Sequence, residues 1–193
     1  MAATVVLLIG SAVGSVLIAL LVLSLAAPAY RIWPTQGDKS WQGYVWWPLF
    51  RGLNLLCFAA AVLDRTPYLG SPFWLRALFG LLLLVSIGVF VYAFRVLGRD
   101  NSYCATDGLV TSGIYQWSRN PQNAMLVVVY ACLALAADSF SAYVLCAMMM
   151  AVYVLMVLCE EPWLERHYGA PYRRYCAEVG RFFNWRRALR RLG

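Results

Sequence analysis

Residues 4–29 read TVVLLIGSAVGSVLIALLVLSLAAPA, a run of 26 positions with no charged side chain. As an α-helix rising 1.5 Å per residue it measures about 39 Å. The hydrocarbon core of a bilayer is roughly 30 Å thick, so the run crosses it with a tilt or a protruding end. It lacks the basic leader of a secretory signal and exceeds the length of one, and it reads as a retained span.

The same character extends along the chain. Of its 193 residues 62% are hydrophobic and 13% charged, and the mean hydropathy is +0.64. An ordinary soluble domain is roughly 25% charged. This composition excludes a soluble globular protein and a disordered one. No polar stretch is long enough to bury a core of its own, so a separate soluble catalytic module is excluded too. Further apolar segments fall at about 46–63, 73–94, 121–137 and 140–159. The expected fold is an all-α integral membrane protein of about five transmembrane helices. The fourth and fifth spans form a helical hairpin about Asp138–Ser139, and the C-terminal segment is amphipathic and cytoplasmic. Residues 1–193 then make one membrane domain. Its 1–94 part holds three spans, and 95–193 holds a polar loop, the hairpin and a C-terminal cap. Pro162 and Pro171 suit helix starts and Gly169 and Gly180 helix ends, so the tail reads as two or three short surface helices.

Charge orients this arrangement. There are sixteen basic and nine acidic residues, and eight of the arginines follow residue 165. With five spans, fourteen basic residues share the side of the tail, and only Arg65 and Arg76 fall opposite. The positive-inside rule puts the tail and the 95–120 loop in the cytoplasm, the expected membrane being a bacterial inner membrane. Beside so much apolar sequence, the basic tail reads as a partner for anionic membrane lipid rather than nucleic acid. Cys57, Cys104, Cys132, Cys146, Cys159 and Cys176 include no CxxC pair, and His167 is the only histidine, so neither a disulfide framework nor a metal site is expected. No GxGxxG, P-loop or GxSxG pattern occurs.

The chemistry must then lie in loops and helix ends. The loop from Gly108 runs through Gly113-Ile114-Tyr115 to Arg119-Asn120-Pro121. Asn120 is a favoured N-cap and Pro121 is preorganised for the first helical position. The fourth span therefore opens with backbone N–H groups, which attract carboxylates and phosphates, beside the forked Arg119. The plainer reading is a capped helix whose arginine touches lipid phosphate. At the far end of the hairpin stand Glu160, Glu161 and Pro162. Adjacent carboxylates there are costly without a partner, so they are either solvated, paired with tail arginines, or holding a ligand. A tight hairpin brings Arg119–Asn120 and Glu160–Glu161 together on one face. The stretch Leu164 to Tyr175 either lids that face or forms an aromatic belt at the interface. Arg51 suits a snorkelling position, and Asn54 suits a bond to a neighbouring helix. Gly10 and Gly14 form a GxxxG that serves internal packing or a dimer face; monomer and dimer both remain open.

Taken in order, Gly113-Ile114-Tyr115, Arg119-Asn120-Pro121, the hairpin, Glu160-Glu161, Tyr168-Gly169, Tyr172, Tyr175, Val179 and Arg181-Phe182 resemble the isoprenylcysteine carboxyl methyltransferase family, whose wider group includes phospholipid N-methyltransferases. The likeness covers about residues 95–184. It implies methyl transfer from S-adenosylmethionine to a lipophilic or small carboxylate, thiol or amine acceptor. It implies a cofactor pocket between loop, hairpin and tail, with Gly113, Tyr115, Arg119, Asn120, Pro121, Glu161 and Tyr172 binding the cofactor. Arg119, Glu160 and Glu161 are the catalytic candidates. Where the family commonly has Arg-His-Pro, this chain has Arg119-Asn120-Pro121, and after the Arg-Phe pair it reads Phe183-Asn184-Trp185 without proline. A membrane reductase using NADPH and a non-enzymatic membrane scaffold are the alternatives.

Overall fold

The computed structural model describes residues 1–36, 39–97 and 108–185. Cys104, Arg99 and the last four tail arginines lie outside them. Six α-helices make up the described chain, which contains no strand: α1 (Ala2–Ala26), α2 (Trp41–Leu63), α3 (Phe73–Leu97), α4 (Pro121–Ala137), α5 (Phe140–Tyr168) and α6 (Ala170–Glu178). α1, α2, α3 and α5 are long and apolar enough to cross a membrane. α4 has 17 residues, about 25 Å at 1.5 Å per residue, and is shorter than the hydrocarbon core. The protein is an all-α integral membrane protein.

α5 is the axis of the bundle. It packs on α1, α2 and α4, and α3 packs on α4. α2 and α3 have no substantial packing against each other. Gly10 and Gly14 let α1 approach α5. A Cβ on Gly10 would lie 2.6 Å from Leu145, and one on Gly14 would lie 2.9 Å from Met148. This GxxxG therefore serves internal packing, and its face is closed to a dimer partner. Leu17, Leu21 and Ser24 continue the same buried stripe toward the end of α1.

The chain alternates between two ends. At one end Asp138, in the left-handed conformation (φ 53°), closes α4. Its carboxylate accepts from Leu69 N–H at 3.0 Å, Ser71 N–H at 2.8 Å and the Tyr143 hydroxyl at 3.3 Å. Arg76 donates to the carbonyls of Ala136 and Ala137 at 2.9 and 3.0 Å. The α2–α3 turn is thereby fastened to the α4–α5 turn. Asp138→Ala leaves these partly buried donors without their acceptor and puts a Cβ-only side chain in a left-handed site. It should lower the melting temperature in detergent by several degrees while leaving ligand binding at the opposite end intact.

Within the bundle, Asn54 meets the expectation of an interhelical bond. Its Oδ1 accepts from the hydroxyls of Tyr130 on α4 and Tyr153 on α5, tying three helices. Arg51 lies with its guanidinium 5.4 Å from the Trp47 ring centre.

The tail departs from expectation at Pro162. It does not start a helix. α5 runs through it to Tyr168, giving up one backbone bond, because the residues around it are good helix formers and Glu161 is anchored on both sides. Gly169 (φ 61°) ends α5, and Pro171 stands in the first turn of α6 as expected. α6 is the one short α-helix of the described tail.

Candidate active site

The loop before α4 is shaped first by a 3-10 turn, Gly113–Gln116, with Gly113 at φ 59°. The turn buries Tyr115, whose carbonyl accepts from the Tyr175 hydroxyl at 2.6 Å. The tail then lies along the loop. Arg119 N–H donates to the Gly180 carbonyl at 3.1 Å, and Asn120 N–H to the Arg181 carbonyl at 3.2 Å. Asn184 N–H donates to the Trp117 carbonyl at 2.7 Å, and the Asn184 amide reaches the carbonyls of Gln116 and Glu178. Gly180 is required where the tail turns, since a Cβ there would meet the Phe183 carbonyl oxygen.

Glu161 fastens this assembly. Its Oε1 accepts from Arg119 Nη2 at 2.9 Å and from the Asn120 amide at 3.3 Å. Its Oε2 accepts from Arg181 Nε at 2.8 Å and Nη2 at 2.7 Å. Asn120 thus occupies the N-cap position of α4 without a side-chain cap bond, because its amide turns to Glu161 and the Arg181 carbonyl. A carboxylate 41 positions along the chain competes successfully with the local N–H groups.

Glu160 is one position, about 100°, round the same helix. It faces a cavity of about 440 Å³. Tyr115, Arg119, Asn120 and Tyr172 line the same cavity. Among its described lining residues Arg119 is the one cation and Glu160 the one anion. The Glu160 carboxylate has no hydrogen-bond or ion-pair partner among the described residues. Arg119 Nε and the Tyr172 hydroxyl are buried there without a hydrogen-bond partner. Burial pushes the Tyr172, Tyr175 and Tyr115 hydroxyls well above the ordinary phenol range, so all three stay protonated as donors at neutral pH. The hydrogen bond to Glu161 raises Arg181 further and holds it charged.

Three of the candidates from the sequence stand off the cavity wall: Gly113 shapes the turn, Pro121 opens α4, and Glu161 is the fastener. Gln122 and Asn123, polar residues in the first turn of an otherwise apolar helix where the resembled family often has a tyrosine, were not among the candidates and line the cavity. That interruption of the apolar pattern was the available signal. Leu164, Tyr168, Tyr172 and Tyr175 also line it, whereas His167 stacks on Trp163 with ring centres 5.6 Å apart.

Beyond this polar end the cavity continues between the helices. Trp47, Phe50 and Phe58 of α2 form one wall, and Ile87, Phe90 and Phe94 of α3 form the other. The sequence profile of the phospholipid methyltransferase family matches residues 75–171, half of the chain. The chain belongs to the phospholipid methyltransferase family. The match begins in α3 and takes in the 3-10 turn, the Arg119–Pro121 helix start, the hairpin and Glu160–Glu161. Tyr172 and Arg181 lie beyond it. No curated protein and no solved structure matches the chain at a significant level. The protein is therefore a membrane methyltransferase, and its resemblance to that wider group, first drawn from residues 95–184, begins twenty positions earlier.

Proposed function

We propose that the protein transfers a methyl group from S-adenosylmethionine to an acceptor drawn from the bilayer. The carrying observation is one cavity with two chemistries: a polar end bearing Arg119, Tyr172 and Glu160, and an aromatic channel between α2 and α3. The donor fits the polar end on the groups present. Its amino-acid carboxylate would take the unpartnered Arg119 Nε and Tyr172 hydroxyl. The aromatic faces of Trp163 and Tyr168 favour a cation such as its sulfonium. When bound, S-adenosylmethionine supplies an electrophilic methyl group on sulfur, and the C–S bonding pair stays with sulfur.

The residues of this chain supply alignment and a proton acceptor. Holding the reacting groups in line accounts for roughly 7–11 kcal/mol of such a barrier. Glu160 takes the proton that an amine or thiol acceptor must lose when its new bond to carbon forms. The gap between α2 and α3 opens toward lipid, which suits an amphiphile whose apolar part stays in the membrane. A phospholipid amine is the first acceptor to test. An NADPH-dependent reductase would need cations for several phosphates, and the described lining offers Arg119 alone.

Two measurements test this reading. S-adenosylhomocysteine should raise the melting temperature of the detergent-purified protein by mass action. Label from methyl-labelled donor should appear in the lipid extract of reconstituted vesicles. A folded protein with neither response refutes the proposal. We further propose that the α6 end is cytoplasmic, on the fourteen-to-two division of basic residues. A reporter fused after Gly193 should be active only in a cytoplasmic form; activity confined to the outside reverses the orientation.

A further inference from the structure

On the far side of α5 the structure carries a second groove of about 560 Å³. Leu25 at the end of α1, Arg31 just beyond it, Cys159, Glu165 and Arg166 of α5, and Arg173 of α6 form its walls. It shares no residue with the active-site cavity. At 100° per residue, the α5 positions facing the cavity (153, 156, 160, 163, 164, 168) and those facing the groove (159, 162, 165, 166) are centred about 150° apart, on nearly opposite sides of the helix.

Depth and charge define what fits. α5 starts at Phe140, so Cys159 lies about 30 Å along it, the thickness of the hydrocarbon core. Arg166 lies roughly 10 Å further, at the level of headgroups. The floor is the buried Cys159 beside the apolar Leu25, and among the described lining residues the rim holds three guanidinium groups and one carboxylate. That carboxylate, Glu165, is 3.8 Å from Arg173, and both side chains are more than half exposed. Such a pair is weak and yields readily to a better anion. Arg166 uses Nε on the Pro162 carbonyl at 3.2 Å, which leaves its two terminal nitrogens as donors.

We propose that this groove binds the phosphodiester headgroup of an anionic phospholipid, with Arg31, Arg166 and Arg173 around the phosphate and an acyl chain against Leu25 and Cys159. Forked guanidinium groups match a tetrahedral phosphate oxygen pair, and the apolar floor at the acyl boundary favours a lipid over a free anion. The site stands independently of the methyl-transfer reading, because none of its residues belongs to that cavity.

The test titrates the full-length protein, in neutral detergent, with dioleoylphosphatidylglycerol, dioleoylphosphatidylcholine and inorganic phosphate, and counts bound lipid by native mass spectrometry. The protein should retain phosphatidylglycerol in preference to phosphatidylcholine. The combined Arg31→Gln, Arg166→Gln, Arg173→Gln variant should bind it about tenfold or more weakly. Each single substitution should weaken binding severalfold and carries the test if the combined variant does not fold. Arg65→Gln, at the other end of the bundle, should change nothing. Equal retention of phosphatidylcholine, an equal loss with Arg65→Gln, unaltered affinity in the folded arginine variants, or displacement of the lipid by inorganic phosphate would each overturn the proposal.

Discussion

Glu161→Gln should loosen the C-terminal segment from the loop and abolish most of the stabilisation by S-adenosylhomocysteine. The amide keeps the shape of the carboxylate and removes the charge between two guanidinium groups. Arg119 is 11% exposed in its side chain and pairs with no other carboxylate among the described residues. Arg181 is 44% exposed and regains water in part. Removing one partner of a buried ion pair costs about 3–5 kcal/mol, and the exposure of Arg181 places this case near the lower bound. For a protein of this size that corresponds to a fall of roughly 10 °C in melting temperature. Ligand response should weaken as well, because Arg119 loses the contact that fixes its fork at the cavity wall. A double-mutant cycle with Arg181→Gln isolates the pair, and the two losses should be far from additive. If Glu161→Gln melts like the parent and responds normally to ligand, Glu161 does not fasten this segment.

That role is one the sequence stated only in part. The hairpin was legible because two long apolar runs flank a two-residue polar turn, and a hairpin must bring Arg119–Asn120 close to Glu160–Glu161. The division of labour between the two glutamates was not legible. Adjacent residues on a helix point about 100° apart, and only the packing of α5 against α1 and α4 decides which one meets the cavity. Asn120 illustrates the same limit. Its N-cap position follows from Asn-Pro before an apolar run, but its side-chain partner is Glu161, far along the chain, where local pattern carries no information. Pro162 suits a helix start and a tolerated helix interior equally by residue type, and the anchoring of Glu161 beside it selects the interior. Gly10 and Gly14 marked a close approach of helices. That the approaching helix is α5 of the same chain depends on Leu145 and Met148, whose positions the motif does not contain.

Glu160→Gln should leave the fold and ligand affinity intact and lower turnover by a hundredfold or more. The side chain has no hydrogen-bond or ion-pair partner among the described residues, so the amide strands none of them and the melting temperature should hold. A positioned base contributes roughly 10²–10⁴-fold to a reaction that must shed a proton. The size of the loss then reports the acceptor. An amine or thiol must release a proton as its bond to the methyl carbon forms, and Glu160 is the one anion among the described residues at the cavity wall to receive it. A carboxylate acceptor arrives without a proton and needs no base, so turnover on such an acceptor should survive the substitution. Measuring the variant on labelled methyl transfer to a phospholipid amine and to a lipophilic carboxylic acid separates these cases within one experiment. A folded Glu160→Gln protein with parental turnover on an amine would remove Glu160 from the chemistry and move the proton's destination to water entering by the α2–α3 gap.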